Sequence, residues 1–116
     1  MTKDITIGDK TIKMKSTAAL SYRYKSCFHK DVYTEIKKVY DSDDPGKRLP
    51  MELIQELGYI MALAGENRSS EATEEGFFEW LDEFEPMDMM IASGDIANLY
   101  FHSRKSGSES KKKIGQ

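Results

Sequence analysis

Ser16–Tyr40, STAALSYRYKSCFHKDVYTEIKKVY, is the stretch whose reading decides the fold. It opens on Ser and Thr, residues that cap helix N-termini. It then carries apolar residues at helical spacing twice, with a break at residues 28–30. Ser16 or Thr17 is expected to cap a first helix running to about Cys27, with Leu20, Tyr24, Cys27 and Phe28 on one face. Tyr22 falls about 200° from Leu20 at 100° per residue, an aromatic on the polar side. Asp31 reads as the next N-cap, and Val32, Ile36, Val39 and Tyr40 form the apolar stripe of a second helix. The chain's single cysteine and one of its two histidines lie in this stretch, which makes it the first place to look for a catalyst.

Upstream, residues 3–15 read as a β-hairpin. Ile5 and Ile7 alternate with polar neighbours, Gly8-Asp9 supplies the turn, and Ile12 and Met14 alternate on the return. A lone hairpin is marginal in water, so its Ile/Met face must pack on helices or pair with another subunit. Downstream, Asp41–Leu49 is a turn by composition. Pro50 suits the first position of a third helix, whose buried face is Leu53, Leu57, Ile60, Met61 and Ala64, with Gly65 as its C-terminal cap. Glu66–Thr73 is polar and reads as the most mobile internal loop. A fourth helix, Glu74–Glu85, sets Phe77, Trp80, Leu81 and Phe84 on one stripe. A fifth runs from about Met87 to Ser103 and is apolar on two opposite faces. One face carries Met87, Met90, Gly94, Ala97 and Phe101, the other Met89, Ala92, Ile96, Leu99 and Tyr100.

With 116 residues, the chain is most simply one domain with one core. Its 39% hydrophobic and 32% charged residues suit a soluble globular protein. No apolar run approaches the roughly 20 residues that span a bilayer, and the N-terminus carries no secretory signal. One cysteine cannot form an internal disulfide, so a cytoplasmic setting is the default. The fold class expected is mainly α (α+β): an N-terminal β-hairpin packed on a bundle of five or so short helices. Residues 1–104 form that domain, and 105–116, rich in Ser, Gly and Lys, a disordered basic tail. Charge is unevenly spread. Residues 1–40 carry nine Lys/Arg against four Asp/Glu, and residues 66–88 nine acids against Arg68 alone. Solvated faces explain this, and so does a dipolar subunit whose basic end meets another copy's acidic end.

Cys27 and His29 are two apart, so on a continuous helix they point in different directions. Cys27 also sits on the apolar stripe, where a free cysteine acts as a small hydrophobe. Three Cys/His residues in all do not make a structural zinc site. Asp41, Asp43, Gly46 and Glu52 fit positions 1, 3, 6 and 12 of a calcium loop, but position 5 is Pro45, which offers no side-chain oxygen. Glu79, Asp82, Glu83 and Glu85 line the polar side of a helix, not a cleft. A Gly-rich phosphate loop is absent, and two histidines leave no credible Ser/His/Asp set. No catalytic, cofactor-binding or metal-ligating residue is therefore expected. Phosphates could meet the basic N-terminal region and Lys111–Lys113, yet no helix concentrates Arg/Lys with Asn/Gln, which argues against nucleic acid.

The hairpin ITIGDKTIKMK leads into TAALSYRYKSCFHKDVYTEI, with its Ala, Tyr-Arg, Phe and Asp-Val/Tyr spacing. An aliphatic helix, ELIQELGYIMALA, and then FFEWLDEF follow. In this order of elements, over nearly all of residues 3–102, the chain resembles the tail assembly chaperones of long-tailed (siphovirus-type) bacteriophages and prophages of Gram-positive hosts. The resemblance implies a small α-rich protein without enzymatic activity that coats the tape measure protein and keeps it soluble. It further implies recruitment of the tail tube protein, a place in the host bacterial cytoplasm and absence from the mature virion. Many such chaperones have a longer frameshifted form, for which Lys111–Lys113 could be encoded by a slippery run. The family has no catalytic motif to transfer. The expected partners are thus the tape measure protein, the tail tube protein and a second copy, with no membrane. The rival reading is a small DNA-binding or regulatory protein of a phage or mobile element. Because a terminal helix has few neighbours to cover two faces, partner binding is assigned to Met89, Ile96, Leu99 and Tyr100, with Tyr22. On that assignment, Ser at 96 and 99 weakens association and leaves helicity intact.

Overall fold

The computed structural model describes residues 1–42 and 49–114, with side chains as far as Phe101. Strands β1 (Thr2–Ile7) and β2 (Lys10–Lys15) pair antiparallel, with Ile5 opposite Ile12 and Ile7 opposite Lys10. Of the two turn residues only Gly8 has a positive φ, 65°, the pattern of a type II′ turn whose twist suits the flanking strands. Period-two alternation sends Ile5, Ile7 and Met14 into the core. The hairpin is thus the one expected, extended by one pair. The Ser16 N–H donates to the Met1 carbonyl at 2.8 Å, and the Met1 amino group donates to the Ser16 carbonyl at 2.9 Å. Ser16 therefore lengthens the hairpin instead of capping a helix. The Thr17 hydroxyl accepts from the Ala19 N–H at 3.3 Å, a local turn that delays the first helix.

That helix, α1 (Leu20–Phe28), buries Leu20, Tyr24, Cys27 and Phe28, the four residues its periodicity names. It stops at His29, which adopts the left-handed conformation (φ 58°) while its N–H donates to the Lys25 carbonyl at 2.8 Å. Helix α2 (Val32–Tyr40) starts from Asp31, whose Oδ2 accepts from the Thr34 hydroxyl at 2.8 Å. Val32 is fully buried and Ile36 and Val39 are half-buried, but Tyr40 turns outward.

The centre of the fold is helix α3 (Met51–Gly65), not the Ser16–Tyr40 stretch. Leu53, Ile54 and every residue from Glu56 to Leu63 are buried, so α3 is covered on all sides. Helix α1, strand β2 and two later helices supply that cover. Gly65 is not the helix cap. A β-carbon there would collide with the Lys13 backbone carbonyl, so the glycine lets α3 lie directly against β2. The left-handed cap is Asn67 (φ 59°), with Asn67 N–H to Ala64 O at 3.1 Å and Arg68 N–H to Leu63 O at 2.8 Å. Those two bonds are the Schellman pattern.

Residues 66–73, read as a mobile loop, hold a 3-10 turn (Ser69–Glu71) and an ion-pair clasp. The Arg68 guanidinium donates to Glu66 at 2.8 Å and to Glu71 at 2.9–3.1 Å, holding the Glu71 carboxyl below its ordinary value. Thr73 caps α4 (Glu74–Leu81), its hydroxyl accepting from Gly76 N–H at 2.9 Å. This helix ends four residues short of Glu85. Phe84 instead folds back through a turn, its N–H bonded to Leu81 O at 3.1 Å. Rings at 5.1–5.8 Å centroid separations run Tyr24–Phe28–Phe77–Tyr59–Trp80–Phe84, tying α1, α4 and α3 together. Lys10, beside the hairpin turn, closes the chain of rings with its ammonium 5.3 Å from the Phe84 centroid.

Helix α5 (Pro86–Ile114) packs across β1 and α3. Its backbone runs past the expected end at Ser103, as far as Ile114. Of residues 105–116, expected as a disordered tail, 105–114 continue the α5 backbone, and 115–116 lie outside the described residues. So do Asp43, Pro45 and Gly46 of the calcium-loop pattern.

Candidate functional surface

The chemistry read from sequence converges nowhere. Cys27 faces the core at 5% exposure, and burial, followed by the charges of Glu74 and Glu56, pushes its thiol up to about 11. A thiol protonated at neutral pH is a poor nucleophile. The His29 imidazole lies beyond the helix end and meets Glu74 instead, Nε2 to Oε1 at 3.7 Å. Glu83 pairs with Lys10 at 3.2 Å on the surface, and Glu79, Asp82 and Glu85 are exposed. Among the described residues, no three His, Cys, Asp or Glu stand close enough to share a metal ion.

Sequence reasoning missed one polar cluster. Glu56, 4% exposed, accepts from the Tyr24 hydroxyl at 2.7 Å and from the Lys30 ammonium at 3.0 and 3.2 Å. Burial first, then the bond to Glu56, pushes the Tyr24 phenol far above its ordinary value. Burial alone would lower Lys30, but the Glu56 hydrogen bond and the nearby carboxylates raise it. The signal was present: Leu53, Glu56, Leu57 and Ile60 follow the i, i+3, i+4, i+7 spacing of a buried face, with a carboxylate in its second place. The cluster borders a cleft of roughly 360 Å³ between α2 and α3, also lined by Glu35, Lys38 and Glu52. Its visible work is structural, fastening the α1–α2 junction onto α3, and among the described residues no buried side-chain nitrogen or oxygen is left without a hydrogen-bond partner.

The surface feature that stands apart is α5. Met89, Ile96, Leu99 and Tyr100, assigned to a partner, are 3%, 0%, 2% and 5% exposed and belong to the core. Burying such side chains is worth about 1.5–3 kcal/mol each, so the fold itself consumes this face. Of the residues assigned to a partner only Tyr22, 78% exposed, faces out. The opposite face is the open one: Met87 is 60%, Met90 54% and Ile91 74% exposed, with Gly94 exposed and Phe101 half-buried. At 100° per residue, positions 87, 90, 91, 94, 98 and 101 fall within an arc of about 100°. That is a continuous stripe along a helix whose other side is already in the core. Unbranched methionines can repack around differently shaped partners. Among the described residues no helix is long and apolar enough to cross a membrane. No protein-family model, curated protein or solved structure matches the chain.

Proposed function

We propose that this chain is a non-enzymatic tail assembly chaperone of a long-tailed bacteriophage or prophage. It holds the tape measure protein in solution and helps recruit tail tube subunits, acts in the host cytoplasm and leaves before the virion is complete. One observation carries the reading beyond the family resemblance: the exposed stripe Met87, Met90, Ile91 and Gly94 on the outer side of α5. A long helical client exposes apolar stripes of its own, and helix-on-helix docking with adaptable side chains is a fitting way to shield them. The buried thiol and the paired Glu56 cluster leave catalysis without support.

The test is co-expression with the tape measure protein, which this reading expects as a long coiled-coil-rich reading frame immediately downstream of the gene. The chaperone reading expects that product to move from the pellet to the supernatant, and Met90→Ser with Ile91→Ser to abolish the shift while the melting curve stays put. A product equally insoluble with and without this chain would overturn it. Salt-dependent retention on DNA, with no effect on that product, would favour the regulatory alternative.

A further inference from the structure

We infer that the free edge of β1 takes a third strand: an extended segment of a partner protein, with a basic residue opposite Asp4 and apolar residues on either side of it. Met1 and Ser16 exchange both of their backbone bonds, which sets the phase of the hairpin ladder. The bonded pairs are then Lys3–Met14, Ile5–Ile12 and Ile7–Lys10. Thr2, Asp4 and Thr6 alternate with them, so their N–H and C=O groups point away from β2. All three residues are exposed, and among the described residues none makes an ion pair or a hydrogen bond outside the hairpin. Another extended backbone matches this row, in which donors and acceptors recur at every second residue, about 7 Å apart.

The opposite edge of the hairpin is shut. Lys13 has the same phase on β2, and its carbonyl is the group that a β-carbon on Gly65 would strike, so α3 lies against that side. On β1 neither a proline nor a bulge closes the edge, and its register with β2 is unbroken.

Beneath β1 lies α5. Asp88 sits against Gly8 in the hairpin turn, and Ile96, about 80° further round the helix, sits against Gly58 of α3. About 60° past Asp88 in the other direction comes Ile91, 74% exposed. That flank of α5 is turned away from α3 and towards the open edge, so inward side chains of a third strand come down beside it. Apolar residues suit those positions. On the outer face the middle position is Asp4, a carboxylate without an ion-pair partner among the described residues, which favours Lys or Arg opposite. The same rule disfavours β1 of a second copy, because the longest antiparallel register sets Asp4 directly opposite Asp4. This pairing stands whether or not the chain is a chaperone.

Backbone amide exchange, followed by NMR, tests it. The probe is a capped peptide alternating valine with threonine, with lysine replacing the central threonine. In the chain alone, the amides of Asp4 and Thr6 should exchange quickly while those of Ile5 and Ile7 are protected. Saturating peptide should protect all four. N-methylation of the peptide's lysine and threonines should abolish that protection, and N-methylation of its valines, whose N–H groups face away, should leave it. Asp4→Lys should weaken binding about fivefold with an unchanged melting curve, and a glutamate-centred peptide should restore it. Asp4 and Thr6 amides still open to exchange at millimolar peptide, or equal effects of the two methylation patterns, would overturn the third strand. Protection that grows with the concentration of the chain alone would overturn it too, since the occupant would then be a second copy.

Discussion

Glu56 shows how much one side chain can ask of its neighbours. A carboxylate 4% exposed is tolerable only with partners, and Tyr24 and Lys30 supply three donated bonds. Tyr24→Phe keeps the ring in the core and removes one of them. Urea denaturation should show a loss of about 1–3 kcal/mol, because a buried charged acceptor is left short of a donor. A change below about 0.5 kcal/mol would mean that water reaches the carboxylate. Tyr24 was legible as a core residue from its helical spacing. Its role as a donor was not, since nothing in the sequence says that Glu56, 32 residues away, points at it.

Helix α5 is the element whose face assignment the structure reversed. Ile96→Ser with Leu99→Ser puts two hydroxyls into the core and removes two of its aliphatic side chains. Each substitution should cost about 2–5 kcal/mol, so the double variant unfolds globally instead of merely losing a partner. Circular dichroism at room temperature would check this, and a native spectrum would refute the burial. Met90→Ser with Ile91→Ser should leave monomer stability within about 0.5 kcal/mol. Two opposite apolar faces were readable from periodicity, but periodicity assigns no face to the core. At the end of α3, Gly65→Ala would drive a β-carbon into the Lys13 carbonyl. Its thermal midpoint should fall by several degrees, where alanine in an unconstrained helix end would raise it. As a helix-ending glycine it invited the capping interpretation. Only the approach of β2 gives the true reason.

For the whole molecule, the perturbed core groups act in one direction on pH dependence. Cys27, Tyr24 and Lys30 all hold their protons more tightly in the folded chain than their ordinary values allow. The unfolded chain then releases protons first, so stability is full at neutral pH and falls as pH rises. For Cys27 the window lies between the ordinary 9.0 and about 11. Melting temperatures should be flat across neutral pH and decline above about pH 9. Cys27→Ala should make the first part of that decline shallower, and an unchanged slope would acquit the thiol. Iodoacetamide at pH 8 should leave native Cys27 unmodified and label it on unfolding.

Local chemistry by itself determined the hairpin, the existence of its helical partners and the members of the first helix's buried face. Gly8-Asp9, period-two alternation and 3.6-residue stripes are short-range signals that survive any tertiary arrangement. Tertiary structure alone decided which helix is central, which face of α5 is free, why Gly65 is glycine and what holds Glu56. Each of those depends on a contact between residues far apart in sequence. A one-dimensional pattern records that a surface is apolar, while only packing says what covers it.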